Sequence, residues 1–302
     1  DNLSSGGSTA GGQGIKLAYK IAEEAFINNG NNRVILATDG DFNVGISSTS
    51  EMIRLIEEKR KTGIYLTITG FGMGNYKDGR MEQISNAGNG NYYYIDNINE
   101  ARKVFVNEMQ ATLFTIAKDV KIQVEFNPEK VQAYRLIGYE NRMLNAEDFN
   151  NDKKDAGELG AGHTVTALYE VIPQGIESEF TKHIDPLKYQ NQTTSHHVKS
   201  SDLLTVKFRY KEPNSSISKL ITNTLADNTK DINKSSDNFR FSASIAVFGM
   251  LIRESKFKQA STYQGALTLA LGAKGNDKEG YRQEFINLIQ NVKLMERERM
   301  YK

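Results

Sequence analysis

An α/β fold is predicted for this 302-residue chain: a partial, doubly wound (Rossmann-like) parallel sheet, then an antiparallel β region and a helical C-terminal segment. Three observations carry the prediction. Short apolar runs alternate with amphipathic helical segments over residues 1–110, which implies βαβ crossovers. Segments of polar–apolar alternation follow, as in half-buried antiparallel strands. From residue 236 the apolar positions recur at helical spacing. Texture therefore divides the chain into residues 1–110 and 111–302, the latter β-rich over 111–212 and helical over 236–302.

The elements follow in order. A Gly/Ser-rich stretch, residues 2–14, leads into Ile15, Leu17, Ala18, Ile21, Ala22, Ala25 and Phe26, the stripe of an amphipathic helix. Val34–Thr38 is a continuous apolar run, as expected of a parallel strand buried on both faces. Ser50 is placed to cap a helix whose stripe is Met52, Ile53, Leu55 and Ile56. Ile64–Phe71 reads as a strand, Met81–Ala87 as a short helix, Tyr92–Ile95 as a strand and Asn99–Gln110 as a helix. Beyond residue 111, Val120–Phe126, Val131–Ile137, His163–Ile172 and Leu203–Tyr210 alternate as strands, with Asn145–Gly162 and Pro173–Asp202 as loops. Phe239–Arg253, Thr262–Leu271 and Lys278–Met295 read as helices.

Composition narrows the function classes. Thirty-eight basic residues stand against 37 acidic ones, so no field of one sign supports binding to nucleic acid through its phosphates. Cysteine is absent, which excludes disulfides, thiolate zinc sites and cysteine nucleophiles. No apolar run approaches the ~20 residues that span a bilayer. The four histidines pair with no serine nucleophile or His-Glu-x-x-His helix. Gly70-Phe71-Gly72-Met73-Gly74 lacks the spacing of a dinucleotide loop and reads as a glycine turn at the sheet rim. Asn150–Gly157 lacks calcium-loop spacing and reads as a hydrated hairpin loop.

Ligands of open parallel sheets bind beyond the carboxyl ends of the strands. Two loops are expected side by side there: Gly7-Ser8-Thr9 and Thr38-Asp39-Gly40. A hydroxyl and a carboxylate are hard oxygen ligands, suited to Mg²⁺, Mn²⁺ or Ca²⁺ and poorly suited to zinc or copper.

These residues carry a resemblance. GGSTAGGQGI followed by ILATDGDFNVG resembles the second and third parts of the metal-ion-dependent adhesion site of von Willebrand factor type A domains. The resemblance implies that the Thr9 hydroxyl and the Asp39 carboxylate hold the cation. Asp41 reads as a solvated loop residue, the alternative being a residue that supports the ligands from behind. The family's first part, an Asp-x-Ser-x-Ser loop, has no counterpart here, so residues 1–110 resemble the C-terminal portion of such a domain. Affinity rises with ligand charge and number, so this chain is expected to bind metal weakly or not at all. FGMGNYKDGRMEQISNAGNGNYYYIDNINEARKVF, KDVKIQVEFNPEKVQAYRLIGYENR, GAGHTVTALYEVIP, FGMLIRES and GYRQEFINLI are similar to the bacterial YfbK-like subfamily, whose A domain precedes a dedicated C-terminal region.

The resemblance implies a non-enzymatic, divalent-cation-dependent protein-binding module of the bacterial cell envelope, in the periplasm or on the outer surface, a lipoprotein being one expected form. Its partner would be a protein that supplies a Glu or Asp carboxylate to the cation. Two other readings stay open. One is an enzyme of phosphate or nucleotide chemistry built on the glycine loops and Asp39. Against it, residues 1–14 hold no basic side chain to balance phosphate charge. The other is a structural scaffold with an inactive metal site.

Overall fold

The computed structural model describes residues 11–28, 30–39, 49–72, 77–109, 113–181 and 201–300. The chain forms two compact units. One comprises Asp1–Gln123, Asn145–Thr164 and Lys207–Thr222, the other Val124–Leu144, Val165–Val206 and Asn223–Lys302.

The first unit opens with α1 (Gly11–Glu24), β1 (Asn32–Thr38), α2 (Thr49–Lys61), β2 (Ile64–Phe71), α3 (Asp78–Ala87) and β3 (Tyr92–Ile95). A short α4 (Ile98–Arg102), capped by the Asn97 side chain, runs on into a π-helical turn, Lys103–Asn107. The strands form a parallel sheet in the order β1-β2-β3, with Thr38 opposite Gly70 and Ile68 opposite Tyr92. Because the order advances in one direction, right-handed crossovers put α2 and α3 on the same face. Met52 and Ile56 of α2, Met81 and Ile84 of α3, and Ile15 and Tyr19 of α1 close over alternate residues of β2, Ile64, Leu66 and Ile68. Each fully buried aliphatic side chain contributes about 1.5–3 kcal/mol of transfer free energy.

The central strand β2 is also covered on its other face, where Thr67 and Thr69 are buried. β1 departs from the expectation of burial on both faces: Ile35 is 48% exposed, and among the described residues β1 has a strand neighbour on one side, β2. Ser50 lies inside α2 rather than at its cap, since the helix already includes Thr49.

Gly88–Asn91 binds the middle of the sheet. Leu66 N donates to Gly88 O at 3.0 Å and Ile68 N to Asn91 O at 2.9 Å. A Cβ at Gly90 would lie 1.7 Å from Leu66 O, so only glycine allows this approach.

The rest of the chain continues with β4 (Thr115–Phe126), β5 (Val131–Ile137), β6 (Gly157–Gly160), β7 (Leu168–Pro173), β8 (Asp202–Lys211) and β9 (Ser218–Ala226). Helices α5 (Asp237–Ile252), α6 (Tyr263–Gly272) and α7 (Tyr281–Met300) follow. The strands make a four-stranded sheet in the order β6-β4-β8-β9 and an antiparallel pair β5-β7. The unit limits fall inside β4, β8 and β9.

Three differences from the sequence reading appear here. The stretch expected as a loop, Asn145–Gly162, contains β6. The strand expected from His163 begins at Leu168. β9 adds a strand that was not expected.

In the second unit the three helices share a core. Phe241 and Phe248 of α5 pack with Ala266, Leu267 and Ala270 of α6 and with Ile286 and Ile289 of α7. Phe285 meets Phe248 edge-on at 5.4 Å between ring centroids. Ser244 Oγ, buried on the apolar face, donates to Ala266 O at 2.7 Å, so its burial leaves no unmet donor. Ser236 and Thr262 cap α5 and α6 by accepting from Phe239 N and Gly265 N.

Candidate functional site

Asp39 follows the last residue of β1, at the carboxyl rim of the parallel sheet, and its side chain is exposed. The turn after β2 lies beside it. A Cβ at Gly72 would stand 3.9 Å from Asp39 Cβ, and Gly72 takes a φ of +101° that side chains rarely adopt. Tyr94 of β3 fixes that turn, its hydroxyl donating to Gly72 O at 2.5 Å. The strand ends thus place a carboxylate next to a glycine turn.

Thr9, the other expected metal ligand, lies outside the described residues, as do Ser8, Gly40 and Asp41. Among the described residues no group of three or more His, Cys, Asp or Glu side chains is placed to hold a metal ion. The donor type at Asp39 fits a hard cation such as Mg²⁺, Mn²⁺ or Ca²⁺, but one carboxylate supplies only part of the six or more oxygens such an ion takes.

A second polar constellation sits at the opposite, amino end of the same strands. A cleft of about 510 Å³ is lined by Arg60 of α2, Tyr65 of β2, Lys118 and Asp119 of β4, Asp155, Glu158 of β6 and Lys211 of β8, among others. Two ion pairs organise it. Arg60 Nη1 meets Asp155 Oδ2 at 2.6 Å and also donates to Asn89 Oδ1 at 3.0 Å. Lys211 Nζ meets Asp119 Oδ2 at 2.6 Å and donates to Asp152 O at 2.7 Å.

Glu158 is different. Both of its carboxyl oxygens are out of solvent reach without a hydrogen-bond partner, and Arg33 Nε of β1 is in the same condition. Burial, reinforced by the charges of Asp119 and Asp155, pushes the Glu158 carboxyl up to about 8; Lys118 and Arg33 oppose the shift without cancelling it. Arg33 is pulled down by burial as well, while its Nη1 donates to Thr67 Oγ1 at 2.7 Å.

Sequence reasoning placed Asp39 at the rim where the structure has it. It missed Glu158 because β6 is four residues long with a glycine at each end, too short for alternation to register. It read Asp155 as part of a hydrated loop, as the structure has it, but did not reach its pairing with Arg60 some 95 residues away in sequence.

The von Willebrand factor type A domain family matches residues 1–129, and the family described as "Uncharacterized protein YfbK, C-terminal" matches residues 111–295. The protein YfbK of Escherichia coli (strain K12) is 43% identical over 291 residues, 96% of this chain and 49% of its own. The chain thus spans about half the length of that relative. Among solved structures, a von Willebrand factor type A protein from Catenulispora acidiphila is 15% identical, with a TM-score of 0.40 over 93% of this chain and 64% of its own. BatB from Bacteroides thetaiotaomicron is 22% identical, with a TM-score of 0.28 over 35% of this chain and 60% of its own. The order of elements and the match over residues 111–295 lead to one conclusion: the chain belongs to the family of YfbK-like von Willebrand factor type A proteins.

Proposed function

We propose that this protein is a non-enzymatic, divalent-cation-dependent protein-binding module of the bacterial cell envelope. A von Willebrand factor type A domain suggests an interaction module. The observation that carries the finer reading is Asp39, exposed at the carboxyl rim of β1 beside Gly72. Ligands of open α/β sheets settle at this rim. An ionised carboxylate there attracts a hard cation, and Thr9 is the expected hydroxyl ligand beside it.

A cation held by few protein oxygens keeps water in its remaining positions, and a partner carboxylate displaces that water. Specificity and association rate then follow from charge complementarity at the rim. Among the described residues no helix is long and apolar enough to cross a membrane.

The test is partner capture from an envelope extract with the full-length protein in Mg²⁺ and again in EDTA. The same partner should be retained in Mg²⁺, lost in EDTA and lost with Asp39→Ala. Retention in all three conditions removes the cation from the account and leaves a scaffold. Hydrolysis of nucleotides by the purified protein would favour an enzyme instead.

A further inference from the structure

The cleft at the amino rim holds a carboxyl group that neither pairs nor reaches water. We propose that Glu158 is a proton-controlled latch: the cleft closes around its neutral carboxyl, and opening β6 releases one proton. The proposal stands on position. Glu158 lies on β6, an edge strand that pairs with β4 in broken register, Thr115 opposite Gly160, Ala117 opposite Leu159 and Val120 opposite Gly157. A short edge strand with bulges has few ladder bonds to hold it.

The groups facing Glu158 come from every neighbouring element. Arg33 stands on β1, Tyr65 on β2, Arg60 on α2, Lys118 and Asp119 on β4, Asp155 on the turn before β6, and Lys211 on β8. Two of the positive charges are committed elsewhere, Arg60 to Asp155 and Lys211 to Asp119, while Arg33 Nη1 donates to the neutral Thr67 hydroxyl. An ionised Glu158 would add a third negative charge beside Asp119 and Asp155, with no donor on either oxygen. The neutral acid avoids that penalty.

The sign of the coupling follows. Closed, the carboxyl keeps its proton up to about pH 8; open and hydrated, it returns toward its ordinary value of 4.5. The open form therefore binds fewer protons between these limits, and rising pH favours it. The open-to-closed ratio grows about tenfold per pH unit across that window and is level outside it. Below pH 4.5 both forms are protonated, and above about 8 both are ionised.

Hydrogen exchange of the β6 amides tests the latch, with rates corrected for the intrinsic effect of pH on exchange. Between pH 6 and 8 the opening constant of β6 should rise about 50-fold in the wild type. Glu158→Gln, which keeps the shape without the charge, should show a flat profile. Equal slopes in the two proteins overturn the proposal. Should the glutamine variant fail to fold, carboxyl ¹³C resonances of the wild type decide. A Glu158 midpoint near 8 supports the latch, and one near 4.5 ends it.

Discussion

The Nζ of Lys211 on β8 lies 2.6 Å from Oδ2 of Asp119 on β4, with side chains only 9% and 17% exposed. Asp119 takes a φ of +51° and also accepts from Ala156 N at 3.2 Å, so one residue orients the β4–β8 pairing and the turn before β6. Removing one partner of a buried pair leaves a charge without compensation. Lys211→Met should cost about 3 kcal/mol in urea denaturation. Combining it with Asp119→Asn, which tolerates the left-handed backbone, should recover part of the loss. Equal cost for the single and double variants would show that the charge pairing is not what stabilises the site.

Gly90 presses its backbone against Leu66 O, where a Cβ would intrude to 1.7 Å. Gly90→Ala must push Asn89–Asn91 off β2 and weaken the bond from Ile68 N to Asn91 O. Overpacking of this kind costs about 1–3 kcal/mol. Thermal unfolding should show a lowered Tm with Asp39 still exposed, whereas an unchanged Tm would mean the loop relaxes freely.

Tyr19 is fully buried in the helix-covered core, yet its hydroxyl has no hydrogen-bond partner. Burial raises its pKa above the ordinary tyrosine value, so the group stays neutral through the physiological range. A buried donor left unmet costs about 1–3 kcal/mol. Tyr19→Phe should therefore stabilise the chain by about 1 kcal/mol in chemical denaturation. Clear destabilisation would point to a polar partner for the hydroxyl.

In the second unit Arg135 of β5 reaches three ways. Its Nε donates to Glu170 Oε2 at 2.6 Å, its guanidinium lies 4.1 Å from the centre of the Phe257 ring, and Nη2 approaches Met250 Sδ at 3.1 Å. A lysine keeps the charge but loses the planar fork and the stacking. Arg135→Lys should cost about 1–2 kcal/mol in the denaturation of this unit.

Much of this was legible in the residues. Ile64–Phe71, Tyr92–Ile95 and Val131–Ile137 are strands at the predicted limits, because their side chains are sorted by burial and their ends by glycine or polar residues. Asp39 was legible because a strand end fixes where the following side chain must stand. β6 was not, since a four-residue strand gains its stability from pairing with β4, a partner some 40 residues away. Nor were the Glu158 carboxyl and its neighbours. Their chemistry arises from groups on α2, β1, β2, β4, β6 and β8 that meet only in the fold, and no local pattern announces such a meeting. β9 is exposed along its length, so burial left no alternation to read.

The role of Asp39 is tested most directly by titrating Mn²⁺ into the full-length protein, followed by electron paramagnetic resonance, beside Asp39→Ala. One saturable ion in the wild type, with at least ~10-fold weaker binding in the variant and an unaltered melting temperature, is the expected result. Identical Mn²⁺ binding in the two proteins would contradict the assignment of the cation to the rim of β1.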